Sequence, residues 1–154
     1  MELKDFKKEY AKLALKYKTP SFEELNENFE IERIDKDTEI LMRAVRKLMM
    51  EKVVNSMNFI EMMLNPVNSP RMYLPFISGM TVEDKNCIDK IYDGLGELSL
   101  FALDLEVDFS EKGEAELINK IFKKWTELKP EFRKVLARMK SPNNFVKKER
   151  SYFG

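Results

Sequence analysis

The chain has 154 residues, a length that suits one compact domain, and its hydrophobic fraction of 44% can supply a core. Its 27 basic and 27 acidic residues cancel, which argues against a protein that coats nucleic acid through bulk charge. Histidine is absent and Cys87 is the only cysteine, so the chain cannot build a Ser-His-Asp triad, a His-ligated metal site, an intrachain disulfide or a self-contained iron–sulfur cluster. Neither a membrane-spanning apolar run nor a signal-peptide core is present, and we expect a soluble, cytoplasmic protein.

Helical periodicity runs through the chain, and no strand alternation interrupts it. The apolar stripes predict five helices: residues 2–18, residues 22–29 behind a Ser21/Glu24 capping box, a helix capped by Asp35 or Asp37 and ending near Leu64, one capped by Thr81 and ending near Glu106, and one opened by Ser110 and ending near Met139. Gly94 and Gly96 suggest a close neighbour in the fourth helix, and Pro130 suggests a kink or a junction in the fifth. We therefore expect an all-α fold, a single compact bundle over residues 1–140 with a tail over residues 141–154.

A proline-rich loop, Asn65–Met80, separates the central helices. Its sixteen residues are more than a bundle connection needs, and loops of that length are often functional. It carries polar side chains that can contact a phosphate or a ribose, namely Asn68, Ser69, Arg71 and Tyr73. A structural reading stands beside this one, in which the loop is a rigid connection and Leu74, Phe76 and Ile77 plug the end of the bundle.

Charge is sorted along the chain although it cancels in total. Residues 81–116 carry 11 acidic and 3 basic side chains, and residues 117–154 carry 11 basic and 3 acidic ones. Four carboxylates share one face of the fourth helix: Asp89, Asp93, Glu97 and Asp104. They can be read as a Mg²⁺ site of a hydrolase or as a solvated face that pairs with the basic helix. We favour the pairing, and we expect no metal site.

The basic last helix has two readings that the sequence leaves open. Its cations, among them Lys124, Lys134 and Arg138, can follow the backbone of single-stranded DNA, or they can pair with the acidic helix. The tail ends with Tyr152-Phe153, an aromatic pair suited to docking on a partner or back on the bundle.

Residues Arg71–Asp84 resemble a motif in the C-terminal domain of the archaeal and eukaryotic primase large subunit. In that motif an Arg-containing turn precedes a hydrophobic stretch, and a Gly-hydrophobic-Ser/Thr-hydrophobic-acidic run opens the next helix. The four cluster-binding cysteines and the flanking histidines of that domain are absent here. The chain therefore resembles the cluster-free relatives of the domain, the PriX family of noncatalytic subunits of archaeal primases.

This resemblance implies a subunit of DNA replication that has no catalytic residues of its own and no cofactor. Its partners would be the catalytic and large primase subunits, a nucleoside triphosphate and the single-stranded DNA template of RNA primer synthesis. Arg71 matches the motif arginine that meets the triphosphate, with Tyr73, Asn68 and Ser69 as further nucleotide-binding candidates and Lys124, Lys134 and Arg138 as DNA-binding candidates. The alternative is a small helical protein–protein adaptor with no nucleotide role.

Overall fold

The computed structural model describes residues 1–141, and of Asn68 it describes the backbone alone. Within this range the chain forms six α-helices and no strand: α1 Leu3–Tyr17, α2 Phe22–Phe29, α3 Leu41–Leu64, α4 Leu74–Ser78, α5 Val82–Val107 and α6 Glu111–Met139. The all-α prediction is confirmed, and the five predicted helices are present, with the short α4 added inside the proline-rich loop. The tail residues Tyr152 and Phe153 lie outside the described residues.

The three long helices form the centre of the bundle, since α3, α5 and α6 each pack against the other two. The smaller α1 and α2 pack against each other and against α3. The core is made by the predicted apolar stripes, for example Val45, Met49, Ile60, Ile91, Leu95, Ile118 and Ile121, which are almost fully buried. Trp125 belongs to this core, as its position on the stripe of α6 predicts. No helix of residues 1–141 combines the length and the apolar character needed to cross a membrane.

Helix starts were predicted well where a capping box marks them. The Ser21 hydroxyl accepts from the Glu24 amide at 3.2 Å, and the Glu24 carboxylate accepts from the Ser21 amide at 2.8 Å. Thr81 caps α5 as predicted. The predicted cap of α3 is wrong, because α3 begins at Leu41 without a side-chain cap. Asp35 instead accepts a hydrogen bond from the Asp37 amide at 3.0 Å, a local turn that competes with helix initiation.

The predicted irregularities at Gly94, Gly96 and Pro130 each have an outcome in the structure. Gly94 lies against α6, and a methyl group in its place would come within 2.8 Å of Leu128 Cδ1, so the predicted close approach is confirmed there. Gly96 has ordinary space, since the nearest atom to such a methyl group is Met57 Cε at 3.6 Å. Pro130 lies inside α6, which is one helix rather than two abutting ones.

Tyr10 fixes the turn between α1 and α2. Its side chain is fully buried, and its hydroxyl donates to the Pro20 carbonyl at 2.8 Å and lies 3.1 Å from Thr19 Oγ1. Burial raises the pKa of Tyr10 to about 12, so the phenol stays protonated at neutral pH. The Thr19-Pro20 dipeptide that ends α1 is therefore held by a buried hydrogen bond as well as by the ring of the proline.

A buried ion pair, which the sequence did not predict, joins the three long helices. Arg46 of α3 is 3% exposed and Glu114 of α6 is fully buried, and the two form two hydrogen bonds of 2.6 and 3.0 Å. Arg46 also donates to Glu106 of α5 at 2.9 Å, and Arg43 donates to the same carboxylate at 2.9 Å. These hydrogen bonds, the Arg46 bond first, keep the pKa of Glu106 below its usual range.

The acidic face of α5 is solvated but does not pair with α6, contrary to our expectation. Its four carboxylates, Asp89, Asp93, Glu97 and Asp104, are exposed, and none makes an ion pair with a cation of residues 1–141. The ion pair that does join α5 to α6 is Asp84–Arg138, at 3.0 Å. The prediction of a paired face is therefore wrong within the described part of the chain, because these side chains face solvent. No cluster suited to a metal ion occurs in that part either.

Candidate functional site

The loop of residues 65–80 is built from three short turns of helix. Pro66–Asn68 and Arg71–Tyr73 are 3₁₀ turns, and Leu74–Ser78 is the five-residue α4. Pro75 lies in the first turn of α4, where its missing N–H leaves no helical bond unmade. The segment after Pro70 is therefore helical over two short turns.

Three contacts fasten this loop to the bundle. The Phe76 ring of α4 is 3% exposed, which confirms its predicted role as a plug, while Leu74 and Ile77 are half-buried. The Tyr73 ring packs edge-on against Phe59 of α3, with centroids 5.9 Å apart. The Ser69 hydroxyl donates to the carbonyl of Met62 in the last turn of α3. The loop is therefore a structured platform rather than a free connection.

The predicted nucleotide-binding residues occupy different environments on this platform. Arg71 is exposed, and its guanidinium makes no ion pair or hydrogen bond with the rest of residues 1–141. Tyr73 is half-buried, and its ring lies nearly perpendicular to that of Phe59. Ser69 has committed its proton to Met62, so its oxygen can only accept a further hydrogen bond. The side chain of Asn68 is not described.

The predicted DNA-binding residues are spread along α6. Lys124 is half-buried, and the exposed Lys134 has its Nζ 3.6 Å from Glu131 Oε1. Ten residues of helix separate the two, or about 15 Å along the axis. Arg138 is held at the start of α5, where its Nη1 lies 3.0 Å from the 4%-exposed Asp84 and 3.4 Å from the Thr81 hydroxyl. Of the three, Arg138 therefore has a structural partner that the sequence did not predict.

An aromatic contact brings the loop and α6 together. Phe59 touches Tyr73 on one side and Phe132 of α6 on the other, with centroids 6.0 Å apart in the second pair. Phe132 lies two residues before Lys134, but two residues turn about 200° around a helix, so Lys134 does not share the face of α6 that contacts the loop. Phe59 could have been identified from the sequence as a contact residue, because it is apolar and lies off the main stripe of α3. Its partners could not be predicted, since they lie on distant segments.

An open groove of about 520 Å³ begins at the same aromatic pair. Phe59 and Phe132 line it together with Phe29, Leu48 and Leu136, and its polar rim is formed by Glu30, Arg33, Glu51, Lys52, Asn55 and Ser56. Its volume lies in the range of small-molecule sites. Sequence reasoning missed Arg33 and Lys52, because they reach the groove from separate elements and stand in no motif.

Lys52 is the best-defined cation of this groove. Its ammonium donates to the carbonyl of Asn28 and lies 5.2 Å from the centroid of the Trp125 ring and 5.8 Å from that of Phe29. Burial lowers the pKa of Lys52, with the nearby Glu30 acting in the opposite direction. Arg33 is held differently, with its Nε 3.4 Å from Glu30 Oε2. The groove thus combines an aromatic lining with two cations, Arg33 and Lys52, and two carboxylates, Glu30 and Glu51.

No protein-family model matches the chain, and no curated protein or solved structure is significantly similar to it. What the site can do is therefore argued from its own residues and from the motif over Arg71–Asp84.

Proposed function

We propose that the chain is a noncatalytic subunit of a DNA primase, of the PriX type, that holds the initiating nucleotide and the single-stranded template during RNA primer synthesis. The observation that carries this proposal is the Arg71 guanidinium, which is exposed and unpaired within residues 1–141 on a loop fastened by Phe76 and Tyr73. A fixed backbone with a free guanidinium suits a triphosphate, because arginine keeps its charge and can form two parallel hydrogen bonds to one phosphate.

The groove beside the loop supports the same assignment. Phe59 contacts Tyr73 and also lines the groove, so the loop and the aromatic floor are continuous. In this proposal the triphosphate pairs with Arg71, while the base lies near Tyr73 and the aromatic floor. In the same proposal Lys124 and Lys134 guide the template along α6.

The proposed contribution to the reaction is positional. Holding two reactants in the correct geometry converts a bimolecular step into an effectively unimolecular one, and effective molarities of about 10⁵ M or more are known for well-aligned groups. The catalytic primase subunit would supply the chemistry, and the large subunit would complete the complex. The proposal needs neither a metal nor an iron–sulfur cluster from this chain.

Arg71→Ala is expected to weaken nucleoside triphosphate binding by about ten-fold or more. Charge-assisted hydrogen bonds contribute about 1.5–3 kcal/mol, and 1.4 kcal/mol corresponds to a factor of ten in affinity. Isothermal titration of the isolated chain with ATP and GTP measures this effect. Met72→Ala is the matched control, since Met72 is the next residue of the loop and is 64% exposed.

Equal nucleotide affinity of the wild type and Arg71→Ala would contradict the assignment of the loop. Dinucleotide formation by a catalytic–large subunit pair, with and without the chain, tests the role in the complex. Stimulation by the wild type but not by Arg71→Ala is the expected result. Equal stimulation by both would keep the primase role and remove Arg71 from the site. A chain that binds neither nucleotide nor single-stranded DNA at saturating concentration would be the helical adaptor instead.

Reversing two charges on α6, with Lys124→Glu and Lys134→Glu together, is expected to weaken binding to single-stranded DNA and to flatten its salt dependence. Removing one cation–phosphate pair reduces the slope of log K against log salt by about 0.7, so the slope of the double variant should be smaller by about 1.4. Fluorescence anisotropy with labelled oligo(dT) at several salt concentrations measures the slope. Arg138 is left out, because its loss would leave the buried Asp84 without its cation.

The control for this experiment reverses two charges elsewhere. Lys8 and Lys12 are exposed on α1, and Lys8→Glu with Lys12→Glu changes the net charge by the same amount. If both double variants change the salt slope equally, α6 is not the path of the template.

A further inference from the structure

One face of α5 carries apolar side chains that the bundle leaves uncovered. Leu100, Leu103 and Val107 are 69%, 62% and 87% exposed. Their spacing of three and four residues places them on one side of the helix, so they form a continuous stripe. Isolated exposed apolar residues are common, whereas a contiguous stripe on a helix is typical of an interaction surface.

The two aromatic residues near the stripe each have a cation of the same chain close to the ring, whereas in the part of the chain that the structure describes the stripe residues do not. The ammonium of Lys120 lies 3.7 Å from the centroid of the Phe101 ring, and the Arg43 guanidinium lies 5.5 Å from that of Phe109. Each ring therefore has a cation of the same chain over it, and Phe101 and Phe109 are 37% and 43% exposed. No such cover lies over Leu100, Leu103 or Val107 within residues 1–141.

The spacing of the stripe is that of an a–d–a seam in a heptad repeat, the pattern with which one helix packs along another. Glu97 and Asp104 occupy the e positions that flank such a seam. Asp93, seven residues before Leu100, occupies the preceding a position, so the apolar part of the seam ends there. These three carboxylates are exposed and make no ion pair with a cation of the described chain. The face thus offers a short apolar seam with negative charge along one edge.

We propose that this face of α5 is a docking site for a basic amphipathic helix of a partner protein. Apolar residues of that helix would cover Leu100, Leu103 and Val107, and its lysines or arginines would lie opposite Glu97 and Asp104. Charge complementarity selects this occupant, since a second copy of α5 would place carboxylates against carboxylates. An anionic lipid surface is disfavoured for the same reason.

The test uses a synthetic probe rather than an unidentified partner. A fluorescent 21-residue amphipathic helix with leucine at the a and d positions and lysine at the e and g positions is titrated with the full chain. A second peptide with glutamate in place of lysine is the charge control. We expect the lysine peptide to bind at least ten-fold more tightly than the glutamate peptide, and its affinity to fall as salt is added.

Two variants of the chain separate docking on the stripe from general attraction to an acidic surface. Leu100→Ser with Leu103→Ser should reduce the affinity for the lysine peptide at least ten-fold, because it removes the apolar contact and leaves the carboxylates in place. Leu15→Ser is the control, since Leu15 is 83% exposed on α1, away from the stripe. Unchanged affinity of the double variant would overturn the proposal.

Two further outcomes would identify a different occupant of the face, and each would overturn the proposal of a partner helix. A dimer of the wild-type chain in sedimentation velocity that is absent in the Leu100→Ser/Leu103→Ser variant would assign the stripe to a second copy. Tighter peptide binding by the Tyr152→Ala/Phe153→Ala variant would mean that the tail of the same chain competes for the face. Monomeric chain with peptide affinity insensitive to Tyr152 and Phe153 is the result that the proposal expects.

Discussion

Glu114→Ala is expected to lower the free energy of unfolding by about 3–5 kcal/mol, one of the two largest effects of a single substitution in this protein. The variant removes the partner of Arg46, which is 3% exposed, and leaves a guanidinium inside the bundle with only Glu106 to neutralise it. For a domain of this size each kcal/mol corresponds to about 2–4 °C in Tm. Urea denaturation and thermal unfolding followed by circular dichroism measure the loss.

A matched control lies two residues further along the same helix. The Glu116 side chain is 62% exposed and its carboxylate is 4.0 Å from Lys112, so Glu116→Ala should change the free energy of unfolding by less than about 0.5 kcal/mol. The double variant Arg46→Met/Glu114→Leu should recover much of the lost stability, because no buried charge is left alone and Arg43 still pairs with Glu106. Equal stability of Glu114→Ala and Glu116→Ala would contradict the burial of the pair.

The buried pair shows where local sequence patterns stop being informative. Arg46 lies on the apolar face of α3, four residues from both Met42 and Met50, and Glu114 lies in phase with Ile118 of α6. A charged residue within an apolar stripe signals a buried charge, so each position alone was detectable. Their pairing was not, because 68 residues separate them and only the packing of α3 on α6 brings them together.

The helices themselves were predictable because their signals are local. The Ser21 capping box and the Thr81 and Ser110 caps fixed three helix starts, and the stripes of α5 and α6 fixed the faces that they bury. The start of α3 was not predictable from Asp35 and Asp37, since the same side chains that cap a helix also close a turn.

The candidate site was located from sequence, but the assignment of its residues was only partly possible. The proline-rich loop was recognisable by its length and by the motif around Arg71. Which of its polar groups remain free depends on the end of α3, where the Met62 carbonyl accepts from Ser69. Likewise, Arg138 looked like its neighbours on α6 until the start of α5 was placed beside it. These roles depend on hydrogen bonds between distant segments, which the periodicity of the sequence cannot predict.

Phe76→Ala should destabilise the protein by about as much as the loss of Glu114, by about 3–5 kcal/mol, because it removes a ring that is 3% exposed and leaves a cavity between α4 and the bundle. Met72→Ala in the same loop is the control and should cost less than about 0.5 kcal/mol, since that side chain is 64% exposed. Denaturant unfolding compares the two variants. A loss as small for Phe76→Ala as for Met72→Ala would mean that α4 is not docked on the bundle.

Phe76→Ala also tests whether nucleotide binding needs Arg71 to be held in place, since the variant keeps the Arg71 charge. Phe76 fastens α4 directly after the turn that carries Arg71, so its removal should loosen the guanidinium without changing the charge of the loop. Amide hydrogen exchange of residues 71–78 should become faster in this variant, at a temperature where it remains folded. Under the proposed function its affinity for ATP should fall toward that of Arg71→Ala, because an arginine on a mobile loop must be ordered on binding, at a cost in entropy. Wild-type affinity combined with fast exchange would show that the nucleotide does not depend on the docked loop.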